Sequence, residues 1–126
     1  MDAKKPTVMV VDDNDTIREM VVRVLRQAVS IMDFDNAEDA FIFYKNNKAH
    51  VDIVLTDMRM PGMDGYDLFF KLREFNPAVK VVAMTGEYDE GKLQELREAG
   101  ILDVWTKPMP IDTIAGIVEH LKETPA

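Results

Sequence analysis

Cysteine is absent from the 126-residue chain. Disulfides, thiolate metal sites and a cysteine nucleophile are thereby excluded, while the redox compartment stays open. No stretch is strongly basic, and the formal net charge is −8. Binding to nucleic acid without regard to sequence depends on Lys and Arg neutralising phosphates, so direct contact with DNA or RNA is not expected. No apolar window is long enough to span a bilayer, and the segment from Met1 to Pro6 is polar, with no apolar signal core. A cytoplasmic protein with no membrane contact is expected. Repeats, low-complexity tracts and linkers are also missing. The length suits one domain with one core, residues 1–126.

Two patterns alternate along the chain. Short runs rich in Val, Ile and Thr appear at Thr7–Val11, Val51–Thr56, Val79–Met84 and Ile101–Thr106, with a weaker run at Ser30–Phe34. Continuous apolar runs of this length suit strands covered on both faces, as in a parallel sheet, and the weaker run suits an edge strand. Helical patterns lie between them. Ile17, Met20, Val21, Val24, Leu25 and Ala28 recur at helical spacing and predict a helix over Asp15–Ala28. Ala37–Asn47, Asp64–Phe75 (Leu68, Leu72 and Phe75 inward) and Asp89–Ala99 follow, the last closed by Gly100. Ile111, Ile114, Ala115, Val118 and Leu121 mark a fifth.

Five βα units with right-handed crossovers predict an α/β fold, a doubly wound five-stranded parallel sheet. A common strand order for such a sheet is 2-1-3-4-5, the flavodoxin-like (βα)5 arrangement. Ligands then bind beyond the carboxyl ends of strands 1 and 3, where the winding reverses. Asp12 and Asp13 follow the first strand and Asp57 ends the third, so the topology would bring three carboxylates together. Such a cluster repels itself, and a hard divalent cation with oxygen ligands is the natural counterion. Taken alone, Asp12-Asp13 could equally be a helix cap, although Asn14 or Asp15 could do that unaided. Thr85 and Lys107 end the fourth and fifth strands and should face the same pocket, with groups suited to a phosphoryl oxygen and to carboxylate or phosphate charge.

Four motifs in order, Val10-Val11-Asp12-Asp13, Leu55 to Gly65, Met84-Thr85-Gly86 and Thr106-Lys107-Pro108, make the chain resemble a receiver domain of a two-component response regulator, of the single-domain chemotaxis type. The likeness runs from about Pro6 to Leu121. It implies that Asp57 is a phosphoacceptor and that Mg²⁺, or Mn²⁺, is held by Asp12, Asp13, Asp57 and the backbone carbonyl of Arg59. It implies that Thr85 contacts the phosphoryl group, that Lys107 pairs with Asp57 and then with phosphate, and that Lys107–Pro108 is often cis. The implied donors are a sensor histidine kinase, a phosphotransfer protein or a small phosphodonor. The implied output is a contact with another protein, by a monomer or weak dimer that catalyses only its own phosphorylation and dephosphorylation. A phosphate relay or sink, or a receiver excised from a larger regulator, is an alternative. A phosphohydrolase of the haloacid-dehalogenase type, using Asp13 and Asp15, is a remoter one.

The chain departs from the family where an aromatic residue usually stands three positions before Lys107, for here it is Val104. Trp105 should lie on the opposite face as a packing residue. Tyr88 is a candidate substitute switch. Arg59 and Glu87 occupy positions that tune phosphate loss in the family, and an ion pair between them over the pocket mouth is expected. Met58, Met60 and Met63 are expected to fill gaps. His50 and His120 lack acidic neighbours at useful spacing and are read as ordinary surface or helix residues.

Overall fold

A computed structural model describes residues 5–86 and 89–122. Strands β1 (Thr7–Val11), β2 (Ser30–Phe34), β3 (Ile53–Asp57), β4 (Val81–Thr85) and β5 (Asp103–Thr106) form one sheet. They pair in the order 2-1-3-4-5, and every pairing is parallel. The helices are α1 (Asp15–Leu25), α2 (Ala37–Asn47), α3 (Gly65–Phe75), α4 (Glu90–Glu98), α5 (Ile111–Ala115) and α6 (Ile117–Lys122), with a single 3₁₀ turn at Lys48–His50.

Strand alternation divides the core into two layers. Met9, Val11, Val54, Val81 and Ala83 face α2, α3 and α4, meeting Ala40, Tyr44, Leu68, Phe69, Leu72, Leu93 and Leu96. Val8, Val10, Ile53, Leu55, Val82, Met84 and Trp105 face α1, α5 and α6, meeting Val21, Leu25, Ile114 and Ile117. Every residue of β3 and β4 is buried, as the apolar runs predict, whereas the edge strand β2 is half-exposed. Each fully buried Leu, Ile, Phe or Met contributes roughly 1.5–3 kcal/mol through removal from water.

The predicted strands β3, β4 and β5 begin two residues late, for a common reason. Val51 N–H donates to Lys48 O, Val79 N–H to Asn76 O and Ile101 N–H to Leu96 O. The first residues of each apolar run close the preceding turn before the ladder begins. Gly100 does end the fourth helix, at φ +91°. Asp64 and Asp89 precede their helices as caps, accepting from Asp67 N–H and Lys92 N–H. The first helix stops at Leu25, leaving Ala28 exposed. The predicted fifth helix is interrupted at Gly116, whose N–H donates to Asp112 O and Thr113 O. Ile114 and Ile117 are buried, while Ala115 and Ile111 are exposed, against the predicted inward pattern. Phe75 is 39% exposed and lies in the α2–α3 seam, edge-on to Phe41 and Tyr44.

Candidate functional site

Asp12, Asp13 and Asp57 meet at the carboxyl ends of β1 and β3, each placing a carboxylate oxygen within 4.8 Å of the others. The cap of α1 is Asn14, whose side chain accepts from Ile17 N–H at 3.0 Å. Capping therefore makes no demand on Asp12 or Asp13. Asp12 is fully buried, Asp57 is 5% exposed and Asp13 is exposed.

Lys107 reaches into this cluster from the end of β5. Its Nζ lies 3.1 Å from Asp12 Oδ2 and 3.1 Å from Asp57 Oδ1. Arg59 N–H donates to the same Asp57 oxygen at 3.4 Å, while no donor among the described residues reaches Oδ2. Lys107 N–H donates to Thr85 O at 2.7 Å, joining the ends of β4 and β5. Thr85 is buried at the C-terminus of β4. The Lys107–Pro108 peptide is cis.

The charges do not balance. Three carboxylates meet one ammonium, leaving a formal excess of two negative charges, and all the carboxylate donors are hard oxygens. That donor set fits a divalent cation of the Mg²⁺ class, which favours oxygen ligands and takes one or two carboxylates while keeping several waters. The strain of crowding appears in Asp57. Burial pushes its carboxyl up, the adjacent Asp12 charge adds to the rise, and Lys107 and the Arg59 N–H pull it back, leaving it at about 6.

The loop after Asp57 is held at base and tip. Gly65 N–H donates to Met58 O at 3.2 Å. Met63 N–H donates to Glu38 Oε2 at 2.9 Å, tying the tip to α2 beside Gly62, at φ +75°. Met58 and Met60 are buried and Met63 is half-buried, so all three pack as expected. Glu38 was not legible as a site neighbour, because its partner lies in another βα unit.

Trp105 is buried in the α1-side layer, opposite Val104, which packs half-buried on the other side. Its indole N–H donates to Asp103 Oδ2 at 3.2 Å. His120 Nε2 lies 3.1 Å from the same oxygen. The acidic neighbour that spacing along the chain fails to give His120 is supplied by the fold, across 17 residues. His50 is exposed. Glu87 and Tyr88, the expected modulator and substitute switch, lie outside the described residues.

A doubly wound parallel sheet carrying acids at its switch point and a lysine from its last strand defines a class of protein, and the comparisons agree on which. The chain belongs to the response regulator receiver domain family, whose model matches residues 8–119. It is 35% identical over 96 residues to the autoinducer 1 sensor kinase/phosphatase LuxN of Vibrio campbellii, covering 75% of this chain and 11% of that protein. It is 32% identical over 114 residues to the DNA-binding transcriptional regulator NtrC of Escherichia coli, covering 90% of this chain and 24% of that one. The chain thus spans a tenth to a quarter of the length of these two relatives. A receiver protein structure from Pseudomonas putida superposes with a TM-score of 0.83 at 26% identity, covering 94% of this chain and 99% of that one. Receiver domains are signalling domains, and among the described residues no helix is long and apolar enough to cross a membrane.

Proposed function

We propose that the chain is a single receiver domain, residues 1–126, that accepts a phosphoryl group on Asp57 in a Mg²⁺-dependent reaction. The observation that carries this reading is the uncompensated charge at the switch point: Asp57 beside Asp12 and Asp13, with Lys107 shared between the two buried acids. Asp12, Asp13, Asp57 and the backbone carbonyl of Arg59 would hold the cation. Bound there, Mg²⁺ would neutralise the carboxylates and the charge developing on the transferred group.

The chain's own residues supply the rest. Lys107 and the Arg59 N–H hold Asp57 Oδ1, which leaves Oδ2 free to attack. An Asp57 oxygen forms a bond to phosphorus, while the bond from phosphorus to the donor breaks and its electron pair leaves with the donor. That donor is an imidazole nitrogen of a sensor histidine kinase or phosphotransfer protein, or the acetate oxygen of acetyl phosphate. The product is an acyl phosphate on Asp57. Lys107 then pairs with the phosphoryl charge, and the Thr85 hydroxyl donates to a phosphoryl oxygen. Little covalent work remains, so positioning and charge neutralisation account for most of the catalysis.

The added group brings about two negative charges and strong acceptors. Its contact with Thr85 would favour a second arrangement of the loop after β4 and of the surface formed by α4, β5 and α5. Val104 has no ring to swing, so switching rests on Thr85 and that loop. Arg59 and Glu87 tune how fast the phosphate is lost. The output is contact with a partner protein, or service as a phosphate relay, in the cytoplasm.

The test is intact mass after incubation with Mg²⁺ and acetyl phosphate, beside an Asp57→Ala variant. We expect one added phosphoryl group in the wild type alone, abolished by chelator. Label retained by Asp57→Ala would assign the nucleophile elsewhere.

A further inference from the structure

Asp12 is held at each of its polar groups. Its N–H donates to Phe34 O of β2 at 3.1 Å. Its Oδ1 accepts from Asn14 N–H at 2.9 Å, and its Oδ2 meets Lys107 Nζ at 3.1 Å. The fourth tether comes from α1, where Arg18 Nη1 donates to the Asp12 carbonyl at 2.8 Å.

Arg18 is itself fixed. Its Nη2 meets Asp15 Oδ1 at 2.6 Å and its Nε meets Asp33 Oδ2 at 3.1 Å. One half-buried guanidinium therefore spans acceptors at the end of β1, in the first turn of α1 and on β2. A planar fork with donors in fixed directions can do this, whereas a lysine ammonium on a flexible stem cannot.

Asp13 lacks comparable support. Among the described residues its side chain makes no hydrogen bond or ion pair, and it is exposed. Its direction depends on the backbone that leads into it. The Asp12 carbonyl and the Asp13 N–H belong to one planar peptide unit, so fixing the first orients the second. Arg18 grips that carbonyl without pairing with any carboxylate of the cluster, so it adds no competitor for a cation.

We infer that Arg18 is a positioning residue of the acidic site, holding the Asp12–Asp13 peptide so that both carboxylates are aimed before a cation arrives. This rests on the reading of Asp12, Asp13 and Asp57 as a divalent-cation site. Partners that orient ligands from behind commonly govern metal affinity by 10- to 100-fold.

The experiment is calorimetric titration of Mg²⁺ into the metal-free wild type, Arg18→Ala, Arg18→Lys and Asp33→Asn, with far-UV circular dichroism confirming the fold of each. Arg18→Ala is expected to weaken Mg²⁺ binding by roughly tenfold or more. Arg18→Lys should not restore it, since charge without the fork cannot span the acceptors. Asp33→Asn removes a charged anchor of Arg18 while leaving every residue of the cluster in place, and a loss of roughly two- to fivefold is expected. Should Arg18→Ala not fold, Asp33→Asn decides. An unchanged affinity in the deciding variant, or full recovery in Arg18→Lys, would overturn the inference while leaving the cation site standing. A wild type that binds no Mg²⁺ would overturn both.

Discussion

At the scale of the residue, Asp57 carries the tension of the site. Its carboxyl is held at about 6 by burial first and by the Asp12 charge second. An acid whose pKa is raised on folding binds its proton more tightly in the native state. Between the unfolded value near 4 and the native value near 6, the native state holds more protons, so stability falls as pH rises through that window. Above about 6 the cost is fully present, and below about 4 it is absent. In chelator at neutral pH, Asp57→Asn is therefore expected to be the more stable protein, by roughly 3 kcal/mol for a carboxyl moved from near 4 to about 6. Urea denaturation at a series of pH values checks this, since the advantage should shrink from pH 6 to pH 4. Arg18 is the complementary case. Its pKa is raised, first by the hydrogen bond to Asp15, against the lowering effect of its own burial. It stays charged throughout that window, so the tether it provides does not titrate with Asp57.

At the scale of the element, the start of α3 packs against the end of β3, and Gly65 makes that close approach possible. A Cβ there would lie inside the contact radius of the Asp57 carbonyl oxygen and 2.7 Å from Met58 Cα. Both are backbone atoms that cannot yield without moving Asp57 itself. Gly65→Ala is expected to cost about 3 kcal/mol, at the upper end of over-packing. Gly91→Ala in α4 is the control, because among the described residues its Cβ would meet only Asp89 Oδ1, at 3.4 Å. There the gain in helix propensity should stabilise the protein by up to about 1 kcal/mol. Chemical denaturation of the pair separates steric demand from propensity. The elements themselves were mostly legible in sequence. Thr7–Val11, Ser30–Phe34 and Ala37–Asn47 stand where their patterns place them. The errors lie at strand starts, at the end of the first helix and in the last helix. An apolar residue that closes a turn looks the same in sequence as one that opens a strand, and no periodicity announces the break at Gly116.

At the scale of the whole molecule, folding gathers carboxylates that would repel one another in any compact state, and one ammonium offsets only part of that charge. A ligand that binds the folded state alone stabilises it by mass action. Mg²⁺ at about 100 times its dissociation constant should add about 2.7 kcal/mol. That corresponds to a rise of several degrees in melting temperature for a domain of this size. Scanning calorimetry with Mg²⁺, and with Na⁺ at matched ionic strength, checks it, and Asp57→Asn should show a smaller rise. The alternation of apolar runs with helical periods determined, by itself, a doubly wound parallel sheet, and strand-end positions alone nominated Asp12, Asp13, Asp57, Thr85 and Lys107. These were readable because a strand's period and its C-terminal edge are local properties of the chain. Tertiary structure decided the contacts between elements. Arg18 grips the Asp12 carbonyl while anchored on Asp33, Glu38 holds the loop after Asp57, and His120 reaches Asp103 from α6. No period in the sequence encodes them, because each joins groups whose separation is set by the packing of helices on the sheet and not by distance along the chain.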